Sequence, residues 1–364
     1  MNYCPNCQAT VSDGARFCPE CGCKINESNA KKERYCEDCG AKLLPEFAFC
    51  PGCGKGIKSS KKKTTSSAKN ENKPKYTSGL QFELGNKGYI VTKYTGSTKN
   101  VVIPEIYNDR PVVSIGDEAL EYCESLVSVE IPNTVTSIGN SAFFQCTSLR
   151  GIDIPDSVTD IGASAFSGCE LIERIEIPRG VTSIDRSVFE GCTALRSIAI
   201  PEGVTEIGDH AFWNCTSLKN IVIPSSVRSI GEAAFYQCHS LKSITIPRGV
   251  TSIGNWMCRD CSSLESVSIP AGVTSIGEYA FSDCTSLRSM TLPGGVRIIQ
   301  NHAFANCSTM VSVVIPNSVV SLGDYVLVSC FDLKTISAPR RLATSLKDRM
   351  KLSYGNDAKI IVND

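Results

Sequence analysis

The sequence lacks any apolar run approaching the roughly 18 residues that cross a bilayer, so no transmembrane helix is expected. Its first residues, MNYCPNCQAT, offer neither a charged n-region nor an apolar h-region, so no secretory signal is read and the default compartment is the cytoplasm. Histidine is scarce, with three in 364 residues. No phosphate-binding glycine loop, nucleophile elbow or convergent acid–base set accompanies them, and a non-enzymatic protein is expected. Net charge is absent overall but uneven: residues 1–75 carry 14 Lys/Arg against 8 Asp/Glu, and residues 76–364 carry 23 against 29. A basic arm on a mildly acidic body is implied.

Cysteine, by contrast, is abundant, at 20 residues in two populations. Nine precede residue 54, and eight of these form two sets, Cys4, Cys7, Cys18, Cys21 and Cys36, Cys39, Cys50, Cys53, the second repeating the first at an offset of 32. Each CxxC makes a tight knuckle that points two thiolates at one centre. Two knuckles complete the closed tetrahedral shell of structural zinc, with rubredoxin-type iron as the rival metal. A fold of about 25 residues has little core of its own, so the metal supplies much of its stability. Cys23 reads as a spare thiol. At all eight ligand positions these segments resemble the short zinc-ribbon family, and two zinc ions, one per ribbon, are expected. Residues 58–75, rich in Lys, Ser and Thr, read as a flexible tether.

The second population keeps time. Cysteines at 123, 146, 169 and onward to 330 recur with a fixed period of 23, in step with prolines from Pro132 to Pro339. The unit reads IPxxVTxIGxxAFxxCxSLxxIx, and a fixed period of this length marks a solenoid. SLxxIxIP alternates as a short strand, as at Leu218, Ile221 and Ile223, and proline closes it because it cannot donate a ladder hydrogen bond. VTxIGxxAFxxC is expected to return through a loop and a short helical turn. Successive coils stack at about 4.8 Å, so the cysteines form a column within reach of bridging. A thiol is also small and apolar enough to serve as a core residue, and a chain with eight metal thiolates is suited to a reducing space, so free core thiols are expected. Cys258-Arg-Asp-Cys261 is formally a CxxC, but it points inward and has no second pair.

These residues resemble BspA-type leucine-rich repeats over roughly 80–340, with departures where Asp185 and Gln300 replace the turn glycine and Cys258 replaces the phenylalanine. The resemblance implies an α/β-type repeat solenoid with a parallel concave sheet and short helical turns or loops on its convex side, preceded by the two zinc-ribbon modules. It also implies binding of proteins or surfaces. The expected organisation is ribbon one at 1–27, ribbon two at 33–57, linker at 58–75, cap and irregular first repeat at 76–111, repeats at 112–339 and a C-terminal cap at 340–364. FELGNKGYIVTKYTG reads as a capping hairpin, RRLATSLKDRMKL as helix and AKIIV as a final strand.

Two surface features stand out as candidate contacts. On the strands, Glu130, Asp153 and Glu176 open a row that then turns small and neutral, and they suit a basic partner or the chain's own Lys61, Lys62 and Lys63. Two residues after the turn glycine, Trp256, Tyr279, His302 and Tyr325 share one phase and are expected to stand as a solvent-facing aromatic column. The favoured function is an intracellular scaffold whose solenoid binds a protein and whose ribbons dock a second one. The alternatives are a nucleic-acid-associated regulator acting through the ribbons and Lys61, Lys62 and Lys63, and a surface or secreted adhesin-like binder.

Overall fold

The computed structural model describes residues 76–351 and 358–363, together with four two-residue strands near the N-terminus. Asn2–Tyr3 pairs antiparallel with Thr10–Val11, and Arg34–Tyr35 pairs the same way with Lys42–Leu43. The second pair repeats the first at an offset of 32, that of the two cysteine sets. Met1–Asn72 and Lys73–Asp364 form separate compact units.

From residue 128 onward each coil contributes two strands. The longer one spans three residues, as in Ser128–Glu130 and Gly151–Asp153, and pairs in parallel with its counterpart in the next coil. The shorter one spans two, as in Ser137–Ile138 and Asp160–Ile161, and builds a second parallel ladder. Inward residues of every coil repeat: Leu149, Val158, Ala165, Phe166 and Cys169 are fully buried, and their counterparts in later coils are buried too. Burial of a leucine or phenylalanine stabilises by about 1.5–3 kcal/mol, and the stacked coils join these residues into one continuous core. Phe143, Phe166, Phe189, Phe212 and Phe235 stack face to face with centroids 5.3–5.9 Å apart.

Both ends are closed by extra strands. The hairpin of Leu80–Leu84 and Tyr89–Tyr94 turns at Gly85–Gly88 and extends the two-residue ladder through Arg110–Ile115. At the other end Thr335–Pro339 leads into the helix Arg340–Lys351, and Lys359–Asn363 returns parallel to Thr335–Pro339.

The expected helical turn in each repeat is replaced by something else. Within 76–339 no α-helix forms, and VTxIGxxAFxxC is a run of turns in which every second residue reaches the next coil. Ser141, Phe143 and Gln145 donate their N–H groups to the carbonyls of Ala163, Ala165 and Ser167 at 2.8 Å, while Ala142, Phe144 and Cys146 bond three residues back. This alternation requires a left-handed backbone at two places per coil, for example Ser141 (φ 51°) and Gln145 (φ 56°). That conformation costs about 1–2 kcal/mol for a residue with a side chain, and the inter-coil bonds offset it.

The glycine departures have a steric cause. The residue after the turn glycine is often Asp or Asn, and its Oδ1 accepts the backbone N–H of the next coil: Asp117 from Asn140, Asn140 from Ala163, Asp209 from Glu232, Asn301 from Asp324. That carboxylate or amide fills the place where the next coil's turn residue would carry Cβ. A Cβ on Gly139 would lie 2.5 Å from the N and Oδ1 of Asp117. Asp185 and Gln300 occur where the preceding coil has Ala163 and Glu278, residues without an Oδ1 to place there. Backbone alone also crowds some turns: a Cβ on Gly208, which follows Arg186 of the preceding coil, would lie 2.7 Å from the Arg186 N.

Candidate functional site

The candidate surfaces are built on the outward positions of the coils. Glu130 and Asp153 are exposed and directly in register on neighbouring strands. Glu176, also exposed, heads the next ladder, where its register partners are Ala199 and then Val222. The expected row of three acids is thus an in-register pair followed by one acid that begins a separate ladder.

The aromatic column needs a larger correction. Trp256, Tyr279, His302 and Tyr325 all lie in the left-handed region, with φ between 52° and 56°. Tyr279 stacks on His302 at 4.5 Å and His302 on Tyr325 at 5.1 Å. The rings therefore cover one another's faces. Tyr325 alone of the four is more than a third exposed, at 52%. Trp256 is half-buried and has no ring contact with Tyr279, over whose ring the Arg259 guanidinium sits at 4.9 Å. Nor does Trp256 enter the core in place of the missing phenylalanine: Met257 and Cys258 are the fully buried residues there.

Arg259 joins this column to a second one that the repeat pattern did not reveal. It lies 5.7 Å from the Tyr236 ring, Tyr236 stacks on Trp213 at 5.5 Å, and Trp213 contacts His210 at 5.1 Å. Trp213 Nε1–H donates to Gln237 Oε1, and Arg259 pairs with Asp283 at 3.5 Å. The ribbon presents ring edges rather than faces, so much of its area stabilises coil stacking. The residue following the Ala-Phe position of each coil, occupied by Met257-Cys258 in one of them, carried the missing signal, since Trp213, Tyr236 and Arg259 share that phase.

The histidines are dispersed along this architecture. His302 is held between two tyrosines, His210 against Trp213, and His239 bonds through Nδ1 to the Asp260 carbonyl at 2.9 Å. A groove of about 320 Å³ is lined by polar groups including Ser183, Asp185, Arg186, Glu206 and Asp209.

The cysteine column carries a chemistry beyond filling space. Nine thiols, from Cys146 to Cys330, each donate S–H to a backbone carbonyl 26 residues earlier at 3.1–3.3 Å. The Phe143 carbonyl, for instance, accepts the Cys146 N–H and the Cys169 thiol together. All eleven cysteines of the described residues are free. Burial pushes the Cys146 and Cys192 thiols up to about 12, and those of Cys169, Cys215 and Cys238 well above their ordinary range. A hydrogen bond with Cys261, then burial, raises Cys258 as well, which is the opposite of what a reactive CxxC requires.

Cys4, Cys7, Cys18, Cys21, Cys36, Cys39, Cys50 and Cys53, and Lys61, Lys62 and Lys63, lie outside the described residues. The paired strands Asn2–Tyr3/Thr10–Val11 and Arg34–Tyr35/Lys42–Leu43 nevertheless bracket Cys4–Cys7 and Cys36–Cys39. Four thiolates per set are soft donors of the kind that suits zinc. Among the described residues no cluster suits a metal, and no helix is long and apolar enough to cross a membrane.

The family models that match the chain agree with this architecture. Residues 113–242 and 228–349 match the BspA type leucine rich repeat region, in 6 copies, and residues 4–54 match the double zinc ribbon. Among solved structures, the chain is similar to a leucine rich cell surface protein from Faecalibacterium prausnitzii A2-165, at 27% identity over 73% of this chain and 95% of that one, with a TM-score of 0.37. It is also similar to a leucine-rich repeat protein from Bacteroides ovatus ATCC 8483, at 25% identity over 79% and 99%, with a TM-score of 0.35. A leucine rich repeat protein of T. pallidum aligns at 28% identity over 78% and 97%, with a TM-score of 0.31. No curated protein matches the chain.

Proposed function

The chain belongs to the BspA-type leucine-rich-repeat family, and from that premise we propose that it is a non-enzymatic scaffold of a reducing, intracellular compartment. Its solenoid holds a protein partner, and its double ribbon, loaded with two zinc ions through the eight named cysteines, docks a second one. The observation that carries this reading is the contrast between the two sides of each strand. Inward positions repeat Leu, Ile and Val, whereas outward positions run Glu130, Asp153, Glu176, Ala199, Val222 and Thr245. Outward side chains released from packing are free to differ, and a rigid row of differing side chains is suited to recognition. Glu130, Asp153 and Glu176, with the ring edges of Tyr279, His302 and Tyr325, are the contacts we assign to partners, and Trp256 belongs to them only as a half-buried neighbour. The thiols support the compartment. A bridge between adjacent coils would delete two S–H donors, so the bonded column favours a reducing space.

Affinity capture with the full chain and with residues 76–364 alone, identifying both protein and nucleic acid retained, tests the reading. One protein held by both forms is expected. Nucleic acid held by the full chain, with no protein held by 76–364, would overturn it.

A further inference from the structure

The residue after the buried Leu or Ile that precedes each three-residue strand forms a column of its own. Arg196 N–H donates to the Glu173 carbonyl, Lys219 to Arg196, Lys242 to Lys219 and Glu265 to Lys242, at 2.8–3.3 Å. Five exposed side chains thereby stand on successive coils, about 4.8 Å apart. The order of charge along them is acid, three bases, acid.

Within this column the pairing is incomplete. Arg196 is partnered by Glu173 at 3.7 Å. Among the described residues, Lys219 and Lys242 have no ion pair and no side-chain hydrogen bond. Two like charges one strand spacing apart repel each other, and an anion laid between them would relieve that repulsion. Beside them lies an uncharged floor, with exposed Asn220 and Ser243, and with Val222 at 74% exposure. Exposed valine on a strand face leaves an apolar spot that an aliphatic side chain can cover.

We propose that this face, centred on Lys219, Lys242 and Val222, binds a short acidic segment of a protein partner, in extended form, with carboxylates on the two ammonium groups and an aliphatic side chain on Val222. This rests on the reading of the solenoid as a protein binder. The brackets argue for a peptide over a long polyanion. Glu173 and Glu176 stand on one side and Glu265 on the other, so the cationic stretch from Arg196 to Lys242 is only about two strand spacings long. A nucleic acid or polysaccharide of uniform charge would run into acids at both ends, whereas a peptide confines its carboxylates to a few residues.

The test is fluorescence anisotropy with the zinc-loaded full chain and a fluorescein-labelled octapeptide carrying three carboxylates around one leucine. The double variant Lys219→Glu/Lys242→Glu should weaken peptide binding by about tenfold or more, while Lys219→Arg/Lys242→Arg preserves it. The matched variant Arg288→Glu/Lys334→Glu changes net charge equally on the same column and should leave binding within about twofold. All four positions are exposed, so folding is retained, and an unchanged melting temperature checks it. Equal weakening by both double variants, equal binding of the peptide's amide counterpart, or stronger binding of a 20-base single-stranded DNA would overturn the proposal. Absence of peptide binding would overturn it too. The protein-binding reading fails separately, only if residues 76–364 capture no protein at all.

Discussion

A matched pair of substitutions isolates the steric rule that links Asp or Asn in one coil to glycine in the next. Gly231→Ala would place Cβ 2.4 Å from both N and Oδ1 of Asp209, whereas Gly254→Ala meets nothing closer than the Gly231 carbonyl oxygen at 3.2 Å. The first must displace a carboxylate that accepts the Glu232 N–H at 2.8 Å, and it also presses on the Gly208–Asp209 backbone. Overpacking costs about 1–3 kcal/mol, and a lost bond to a charged acceptor about 1.5–3 kcal/mol. Gly231→Ala should therefore destabilise by about 3–5 kcal/mol. For Gly254→Ala the neighbour yields a few tenths of an ångström, and the restricted unfolded chain returns about 0.4–1 kcal/mol. Its net effect should stay within about 1 kcal/mol. Urea titration of the full chain followed by circular dichroism reads both, compared at unchanged slope because a changed slope signals non-cooperative unfolding of the array. Adding Asp209→Ala to Gly231→Ala should recover part of the loss, as expected for two groups competing for one space. Equal destabilisation by the two single substitutions would refute the rule.

The thiol column predicts that Cys215→Ser costs no more than Cys215→Ala, since the hydroxyl inherits the Phe189 carbonyl as acceptor; both should cost about 1–2 kcal/mol, and a much larger loss for serine by thermal melting would mean the thiol is only an apolar filler. Stability should also fall above about pH 9, where unfolded thiols ionise while Cys146 and Cys192 stay protonated up to about 12. The folded state then binds more protons, so each such thiol removes ~1.4 kcal/mol per pH unit, and a urea midpoint flat between pH 8 and 11 contradicts this. Ser164→Gly, at φ 56° and without a side-chain bond, should stabilise by about 0.5–1 kcal/mol, measured as a raised melting temperature. Elemental analysis should find two zinc ions per chain, and Cys36→Ser should release one of them without moving the solenoid's melting transition; iron, or loss of the transition, would sink that assignment.

Much of this architecture was legible because one fixed period repeats its inward set. Leu218, Ile221, Ala211, Phe212 and Cys215 announced their burial by recurrence, and proline marked each strand end. The second ladder was not legible: in VTSI the apolar residues Val135 and Ile138 are three apart, a spacing without strand alternation, and the strand itself is only Ser137–Ile138. The left-handed positions were half legible. Gly168, Gly191, Asn214 and Asn306 are residue types that tolerate this backbone, but Trp256 and Tyr279 are not, and their φ is imposed by bonds to the next coil. Hence the aromatic column read as an open row of rings, when Tyr279, His302 and Tyr325 cover one another and Arg259, arriving from a different phase, covers the outer face of Tyr279. The thiol bonds were invisible for a similar reason, since a period reveals burial but not the direction of S–H.

The central claim is that the outward face of the longer strands carries a protein partner. A photo-crosslinking amino acid at Val222, 74% exposed on that face, compared with one at Val320, 67% exposed beside the two-residue ladder, tests it most directly. The account predicts a protein adduct through Val222 and little through Val320. An adduct through Val320 alone, or through neither with the fold intact, would contradict it.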